Sequence, residues 1–287
     1  MIPVPLAYPT ITGKETTQLT KLSTVWNILG KPHMISDEQL EKNLQFEGMK
    51  LINVDSLLHS EKAGEIQLAQ KDTPAMIQFS SGSTSTPKGV ILTHDNLLTN
   101  IEGMVRGANL NQDDSMLAWM PYHHDMGLIG FHLTPTAIGI NQYNIHPLTF
   151  VKRPTLWLDS VTKHKATVTG SPNFGYRLLL NRAKPKNYMT WDLRSIRLLF
   201  NGAEPISVSV MEEFMAELQQ CGFGKTAMFP VYGMAEACLG VCFPTLDREP
   251  FVHSLDRETL VRENKVKESK RTNENRILLV DEGYPIP

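Results

Sequence analysis

Gln78-Phe79-Ser80-Ser81-Gly82-Ser83-Thr84-Ser85-Thr86-Pro87-Lys88-Gly89-Val90 is the stretch on which the reading of this chain turns. The strand-like run Ala75-Met76-Ile77-Gln78-Phe79 leads into it, and a second such run, Val90-Ile91-Leu92-Thr93, leaves it. Between them lies a loop of small hydroxylated residues whose backbone N–H groups and hydroxyls stand clear of bulky side chains. With Lys88 in reach, such a loop can cradle a polyphosphate. A flexible Ser/Thr turn is the other reading that composition allows. A Walker loop is excluded on spacing, because that motif needs Gly-Lys-Ser/Thr and the order here is Lys88-Gly89-Val90.

Outward from this loop the pattern is one of alternation. Before it, Ile2–Thr10 reads as an edge strand or extended loop, residues 36–48 as a helix with an acidic first turn, and Met49–Asp55 as a short strand. After it, His94–Leu110 has helical spacing. Strand-like and helix-like segments then follow in turn: Met116–Tyr122, a helix around Leu128–Ala137, Val161–Pro172, Asn173–Ala183, Ile196–Pro205, a helix Ser207–Gln220, and Ala227–Gly233. Such βα alternation predicts an α/β fold with a largely parallel sheet flanked by helices. Residues 245–276 are charged and poorly periodic, which reads as a surface excursion, before Arg276–Val280 returns as a strand. There is no internal repeat, low-complexity tract or heptad.

Composition limits the function classes. At about 150 residues per domain, the 287 residues predict two structural units or one large α/β domain. With 28 basic and 30 acidic side chains and a formal charge of −2, a nucleic-acid binder of the basic-tail type is excluded, which leaves only local patches open. The charged run Val261–Arg271 interleaves Glu with Lys and Arg and carries no aromatic platform, so it reads as a solvated face. A hydrophobic content of 41% is too high for a largely disordered chain. No apolar run approaches the ~18 residues of a membrane-spanning helix, and no signal peptide is visible. The three cysteines, Cys221, Cys238 and Cys242, fit a reducing cytosol, and the expected location is cytoplasmic.

Three further segments could carry chemistry. His123-His124-Asp125 alone is compatible with a metal site or a turn, but His132 and His146 add no ligand spacing, so metal binding by histidine is not expected. Asn201-Gly202-Ala203-Glu204-Pro205 reads as a strand-to-helix turn. Glu236 follows a tight Tyr232-Gly233 turn. Cys238 and Cys242, at i and i+4, read as buried small hydrophobes.

The order of these residues goes further than their composition. Ser80–Gly89 resembles the phosphate-binding signature of the adenylate-forming superfamily, usually Ser/Thr-Ser-Gly-Ser/Thr-Thr-Gly-x-Pro-Lys-Gly, with Ser85 standing at the second glycine. Trp119-Met120-Pro121-Tyr122-His123-His124-Asp125-Met126-Gly127-Leu128 resembles a segment typical of its fatty acyl-AMP ligase branch. Asn201–Pro205 and Tyr232-Gly233-Met234-Ala235-Glu236-Ala237 resemble two more, and Pro172-Asn173-Phe174 and Cys221-Gly222-Phe223 also look like this branch.

The resemblance implies part of the large N-terminal domain of an adenylate-forming enzyme. It divides the chain into a partial N-terminal subdomain (1–76), a nucleotide- and acyl-binding core (77–244), and an insertion-like segment with the start of the next subdomain (245–287). It implies activation of a fatty or related carboxylic acid by ATP and Mg²⁺. Transfer to an acyl carrier protein would follow, in lipid, polyketide or lipopeptide biosynthesis. Ser81, Gly82, Ser83, Thr84, Ser85 and Thr86 would bind phosphate; Lys88 and His124 would be catalytic, His124 by orienting the substrate carboxylate. Asn201, Gly202, Ala203, Glu204, Pro205, Tyr232, Gly233, Met234 and Ala235 would line the adenine and acyl-adenylate site, and Glu236 would hold Mg²⁺. The branch's insertion, associated with carrier protein rather than coenzyme A, has its counterpart in Phe251–Arg271. The ribose-binding Thr-Gly-Asp motif and the small C-terminal domain with its lysine do not occur in this sequence, so the chain by itself is expected to adenylate slowly or not at all. An acyl-CoA synthetase, or a non-catalytic protein that binds acyl chains or nucleotide, is the alternative.

Overall fold

The structure, a computed structural model, describes residues 1–7, 17–38, 48–59, 64–65, 68–80, 87–270, 272 and 274–287. It divides into two compact units, Met1–Asp95 and Asn96–Pro287. The hairpin that carries Lys88 thus goes with the first unit, and residues 245–287 fold within the second.

In the first unit, β1 (Met34–Ser36) and β2 (Leu51–Asn53) pair in parallel. The predicted short strand is therefore present, and the Asn53 side chain then caps the helix Val54–Leu58 by accepting from the Asp55 N–H. β3 (Pro74–Ser80) and β4 (Lys88–Thr93) form an antiparallel hairpin in which Ser80 faces Lys88 and Gln78 faces Val90. At the chain start, the Pro3 carbonyl accepts from the Ile77 N–H at 3.0 Å, so the opening residues run as an extended segment against β3. Most of the predicted helix at 36–48 lies outside the described residues.

The second unit is built on a five-stranded sheet. β5 (Ser115–Ala118), β6 (Asn141–Asn144), β7 (Val168–Ser171), β8 (Leu198–Asn201) and β9 (Met228–Pro230) stand in the order β6-β5-β7-β8-β9, and every pair is parallel. Every residue of β7, β8 and β9 is buried, as expected of strands covered on both faces. The helices Leu156–His164 and Asn173–Arg182 are tied to the sheet by polar side chains in the core. Trp157 donates to the Thr169 hydroxyl at 2.8 Å, and Tyr176 donates to the Phe200 carbonyl at 2.6 Å. The helix Val208–Leu218 adds Phe214, whose ring meets Tyr176 edge-on at 4.7 Å.

At the N-terminal edge of this sheet a buried ion pair joins the strands. Asp114, just before β5, takes Arg197 Nε at 2.7 Å on one oxygen and Nη2 at 2.5 Å on the other, and accepts from the Thr167 hydroxyl at 2.7 Å. Arg197 also donates to the Ala108 and Asn109 carbonyls. Three segments that each enter a strand are thereby fixed in register.

β10 (Tyr232–Gly233) pairs with β11 (Gly240–Phe243), β12 (Val252–Asp256) pairs with β13 (Arg276–Val280), and β14 (Tyr284–Pro285) pairs with β11, all antiparallel. Within residues 245–276, read as a surface excursion, the structure forms β12 and the following helix Arg257–Glu263, capped by Asp256. The strand is half exposed and takes its ladder from a partner more than a dozen residues away, so local periodicity had nothing to register. Among the described residues no helix is long and apolar enough to cross a membrane.

Candidate active site

In a parallel sheet the strands all end on one edge, and side chains placed just beyond those ends converge. In the second unit, β5 runs into Trp119–Asp125, β7 into Pro172-Asn173-Phe174, β8 into Gly202–Pro205, and β9 into Val231–Glu236. Four of the segments singled out in the sequence are therefore brought to one edge by topology alone.

The His123-His124-Asp125 turn is held by its glycine. A Cβ on Gly127 would stand 2.3 Å from the Pro121 carbonyl oxygen, so only glycine lets the chain double back here. A π-helical turn, Met126–Leu133, follows and runs into Thr134–Ile138. The predicted helix at Leu128–Ala137 is thus present but starts wide, a form frequent at functional sites. His124 Nδ1 lies 2.7 Å from Asp125 Oδ1, with the ring 47% exposed and the Asp125 side chain 13% exposed. Its hydrogen bond to Asp125 is the main reason the His124 pKa is raised, with burial opposing. His123 goes the other way: burial and the neighbouring His124 lower its pKa.

Beyond β8, the Asn201 side chain is fully buried and neither its oxygen nor its nitrogen has a protein partner among the described residues. The exposed part of this motif is Ala203–Pro205. Ala203 sits at φ 69°, the left-handed region that costs a non-glycine residue on the order of 1 kcal/mol. Glu204 Oε1 accepts from the Phe174 N–H at 2.6 Å, and Asn173 Oδ1 accepts in return from the Ser207 N–H at 3.2 Å. Glu204 thereby supplies a partner for the first turn of the helix Asn173–Arg182, whose own cap residue, Pro172, makes no side-chain bond. The reciprocal pair locks the β7 and β8 loops together.

Beyond β9, Tyr232 and Gly233 form a short antiparallel hairpin with β11, and Glu236 stands exposed in its connecting turn. A Cβ on Gly233 would meet the Leu239 carbonyl oxygen at 2.2 Å, so the close approach this glycine permits is within its own hairpin. Cys238, at φ 73°, is buried and its thiol pKa is pushed up to about 12 by burial and by the Asp125 charge. That proximity sets the Glu236 turn beside the His124 turn, as does the contact distance of 3.0 Å between a Cβ on Gly130 and Leu239. Cys242 is only half-buried and lies in β11, so the i, i+4 spacing does not mark a helical face. Tyr122, Phe174, Tyr232 and Met234 are all exposed, giving the edge an apolar rim.

Among the described residues no group of three His, Cys, Asp or Glu side chains could hold a metal by themselves. A lone exposed carboxylate such as Glu236 does suit Mg²⁺, which keeps waters and substrate phosphates and needs only one or two protein carboxylates. Ser81–Thr86 lie outside the described residues. Lys88 opens β4 in the first unit and is exposed. Asp125 and Asn173 were named within their motifs but given no role of their own, and the structure shows their contacts, Asp125 with His124 and Asn173 with the Ser207 N–H. An acid directly after a histidine was a signal for the first; only the fold shows the second.

A family model described as AMP-binding enzyme matches residues 5–276. The medium-chain-fatty-acid–acyl-carrier-protein ligase TtuA of Teredinibacter turnerae is 38% identical over 194 residues, 68% of this chain and 30% of that protein. The corresponding ligase JamA of Moorena producens is 36% identical over 216 residues, 75% of this chain and 36% of that protein. The crystal structure of a fatty acyl-adenylate ligase from L. pneumophila, in complex with acyl adenylate and pyrophosphate, superposes with a TM-score of 0.87 at 32% identity, covering 94% of this chain and 48% of that one. The chain thus spans less than half the length of each of these proteins.

Proposed function

The chain belongs to the AMP-binding enzyme family, and from that premise we propose that the protein activates a fatty or related carboxylic acid as its acyl-adenylate and passes the acyl group to the phosphopantetheine thiol of an acyl carrier protein. The observation that carries the proposal is the single edge in the second unit where the His124–Asp125 pair, the exposed Glu236 carboxylate and an apolar rim meet.

A substrate carboxylate oxygen attacks the α-phosphorus of ATP, the bond to the β-phosphate oxygen breaks, and pyrophosphate leaves. The acid is already ionised at pH 7, so no base is needed. Two anions must meet, and catalysis rests on positive groups and orientation. His124 offers a ring N–H to the incoming carboxylate and the α-phosphate. Lys88 and the Ser81–Thr86 loop bind the β- and γ-phosphates. Glu236 holds Mg²⁺, which neutralises phosphate charge when bound. Ala203–Pro205 and Tyr232 flank the adenine, and Tyr122, Phe174 and Met234 give the acyl chain an apolar entry. In the second half-reaction the thiol sulfur attacks the acyl carbonyl and AMP leaves. The insertion-like segment Phe251–Arg271 would discriminate carrier protein from coenzyme A, and the setting would be lipid, polyketide or lipopeptide assembly in the cytoplasm.

The test is calorimetric titration with decanoyl-sulfamoyl-adenosine, a non-hydrolysable analogue of the intermediate, against phenylalanyl-sulfamoyl-adenosine and AMP. The fatty analogue should bind most tightly, and His124→Ala should weaken it by tenfold or more. Equal affinity for the three compounds would refute the reading. Trapping the thioester product on carrier protein in preference to coenzyme A tests the acceptor.

A further inference from the structure

We propose that Asp125 is a positioning residue for His124: its carboxylate takes the Nδ1–H of the imidazole, so that Nε2 is the ring nitrogen offered to an anionic oxygen of the substrate. The inference rests on the adenylation reading for the identity of that oxygen and on geometry for everything else.

Three contacts carry it. His124 Nδ1 and Asp125 Oδ1 are 2.7 Å apart. The same carboxylate oxygen accepts the Met126 N–H at 2.7 Å, which anchors it to the first turn of the π-helical segment. The Met126 N–H also lies 3.3 Å from His124 Nδ1, but a ring nitrogen that gives its proton to a carboxylate has no lone pair left to accept one. The shorter contact therefore owns the backbone N–H, and the tautomer follows. Nε2 has no protein partner among the described residues, and the ring is 47% exposed at the edge where the strands end. The Asp125 side chain, at 13% exposed, is the sheltered member of the pair, as a group that orients another should be.

The titratable surroundings support the same assignment. His123 sits beside the pair and is pushed toward its neutral form by burial and by His124. The hydrogen bond to Asp125 raises the His124 pKa, burial opposes it, and the Asp125 charge adds to the rise. No proton is transferred in the step. A cationic Nε2–H spans the repulsion between carboxylate and α-phosphate, and Asp125 keeps that N–H both charged and aimed.

The experiment is long-range ¹H–¹⁵N spectroscopy of ring-labelled histidines across a pH series. Neutral His124 should carry its proton on Nδ1, and its midpoint should lie above that of His123. Asp125→Asn should move the His124 midpoint to lower pH, while Asp125→Glu should restore part of the shift. A wild-type His124 protonated on Nε2, or an Asp125→Asn titration that overlays the wild type, overturns the proposal; the wild-type tautomer alone decides it if the variant folds poorly. Binding of decanoyl-sulfamoyl-adenosine over the same pH range supplies the functional arm. Affinity should fall as His124 deprotonates, and should do so at lower pH in Asp125→Asn. Absence of binding by the wild type at every pH would remove the adenylation reading, while the spectra would still decide whether Asp125 holds His124.

Discussion

Replacing Arg197 with methionine should destabilise the second unit more than any single change on its surface. The Asp114 side chain is 3% exposed, and Arg197 supplies both of its charged hydrogen bonds, so the substitution strands a carboxylate out of water. Removing one partner of a buried pair costs about 3–5 kcal/mol, because the remaining charge is uncompensated. For a unit of this size each kcal/mol moves the unfolding midpoint by about 2–4 °C, which puts the expected loss on the order of 10 °C. The pH dependence fixes the mechanism. Burial alone would push the Asp114 carboxyl up, but Arg197, the Asn111 N–H and the Thr167 hydroxyl together hold its pKa below the ordinary value. A carboxyl depressed on folding contributes stability that is present above its unfolded pKa, about 4, and lost as pH falls through the folded one. Denaturant unfolding of wild type and Arg197→Met should therefore differ most near neutrality and converge in acid. The double variant Asp114→Asn, Arg197→Met should recover part of the loss. A cost below about 1 kcal/mol, the value of an exposed pair, or a cost that does not shrink in acid, would refute the reasoning.

Gly127→Ala must push a Cβ against the Pro121 carbonyl, so it should cost about 1–3 kcal/mol and weaken binding of the adenylate analogue by displacing His124. Gly130→Ala, which meets only the Leu239 methyl at 3.0 Å, should cost less, and paired thermal melts check the ranking. Glu204→Ala removes the acceptor for the Phe174 N–H and should cost about 1 kcal/mol, with Glu204→Gln milder. In the native protein the Cys238 thiol, buried with a pKa near 12, should resist a thiol reagent in mild alkali. All three cysteines should react once the chain is unfolded, and three equivalents in the native state would contradict the geometry.

The parts of this fold that were legible in the sequence are those whose signal is local. β7 and β8 are short, wholly buried and bounded by turn residues, so their apolar runs stand out. Ser207 caps its helix through the Val210 N–H, and serine followed by an apolar-periodic run announces that. β12 was not legible, because its pairing partner lies far along the chain and its own burial pattern is mixed. At the site, residue types gave the chemistry but not the pairings. That Glu204 serves a helix N-terminus and Asn173 returns the bond depends on two loops being adjacent, which no spacing encodes. The space beside Gly233 is taken by the Leu239 carbonyl of its own hairpin, a close approach that no residue type announces.

The two edges of the five-stranded sheet differ in how their buried polar groups are partnered, and this is a physical reason to place the chemistry where the strands end. At the N-terminal edge the buried ion pair is fully matched: Asp114 has Arg197, Thr167 and the Asn111 N–H, and Arg197 has two carbonyls besides. At the C-terminal edge that matching lapses. Ala203 and Cys238 hold positive φ, the Asn201 amide and the Trp119 indole N–H are buried without a protein partner among the described residues, and Glu236 stands exposed. The two positive-φ residues and the two buried unpaired groups each cost of the order of 1 kcal/mol or more. The Asn201 amide and the Trp119 indole N–H, buried and unmet where the parallel strands end, therefore mark a surface shaped for something other than its own stability.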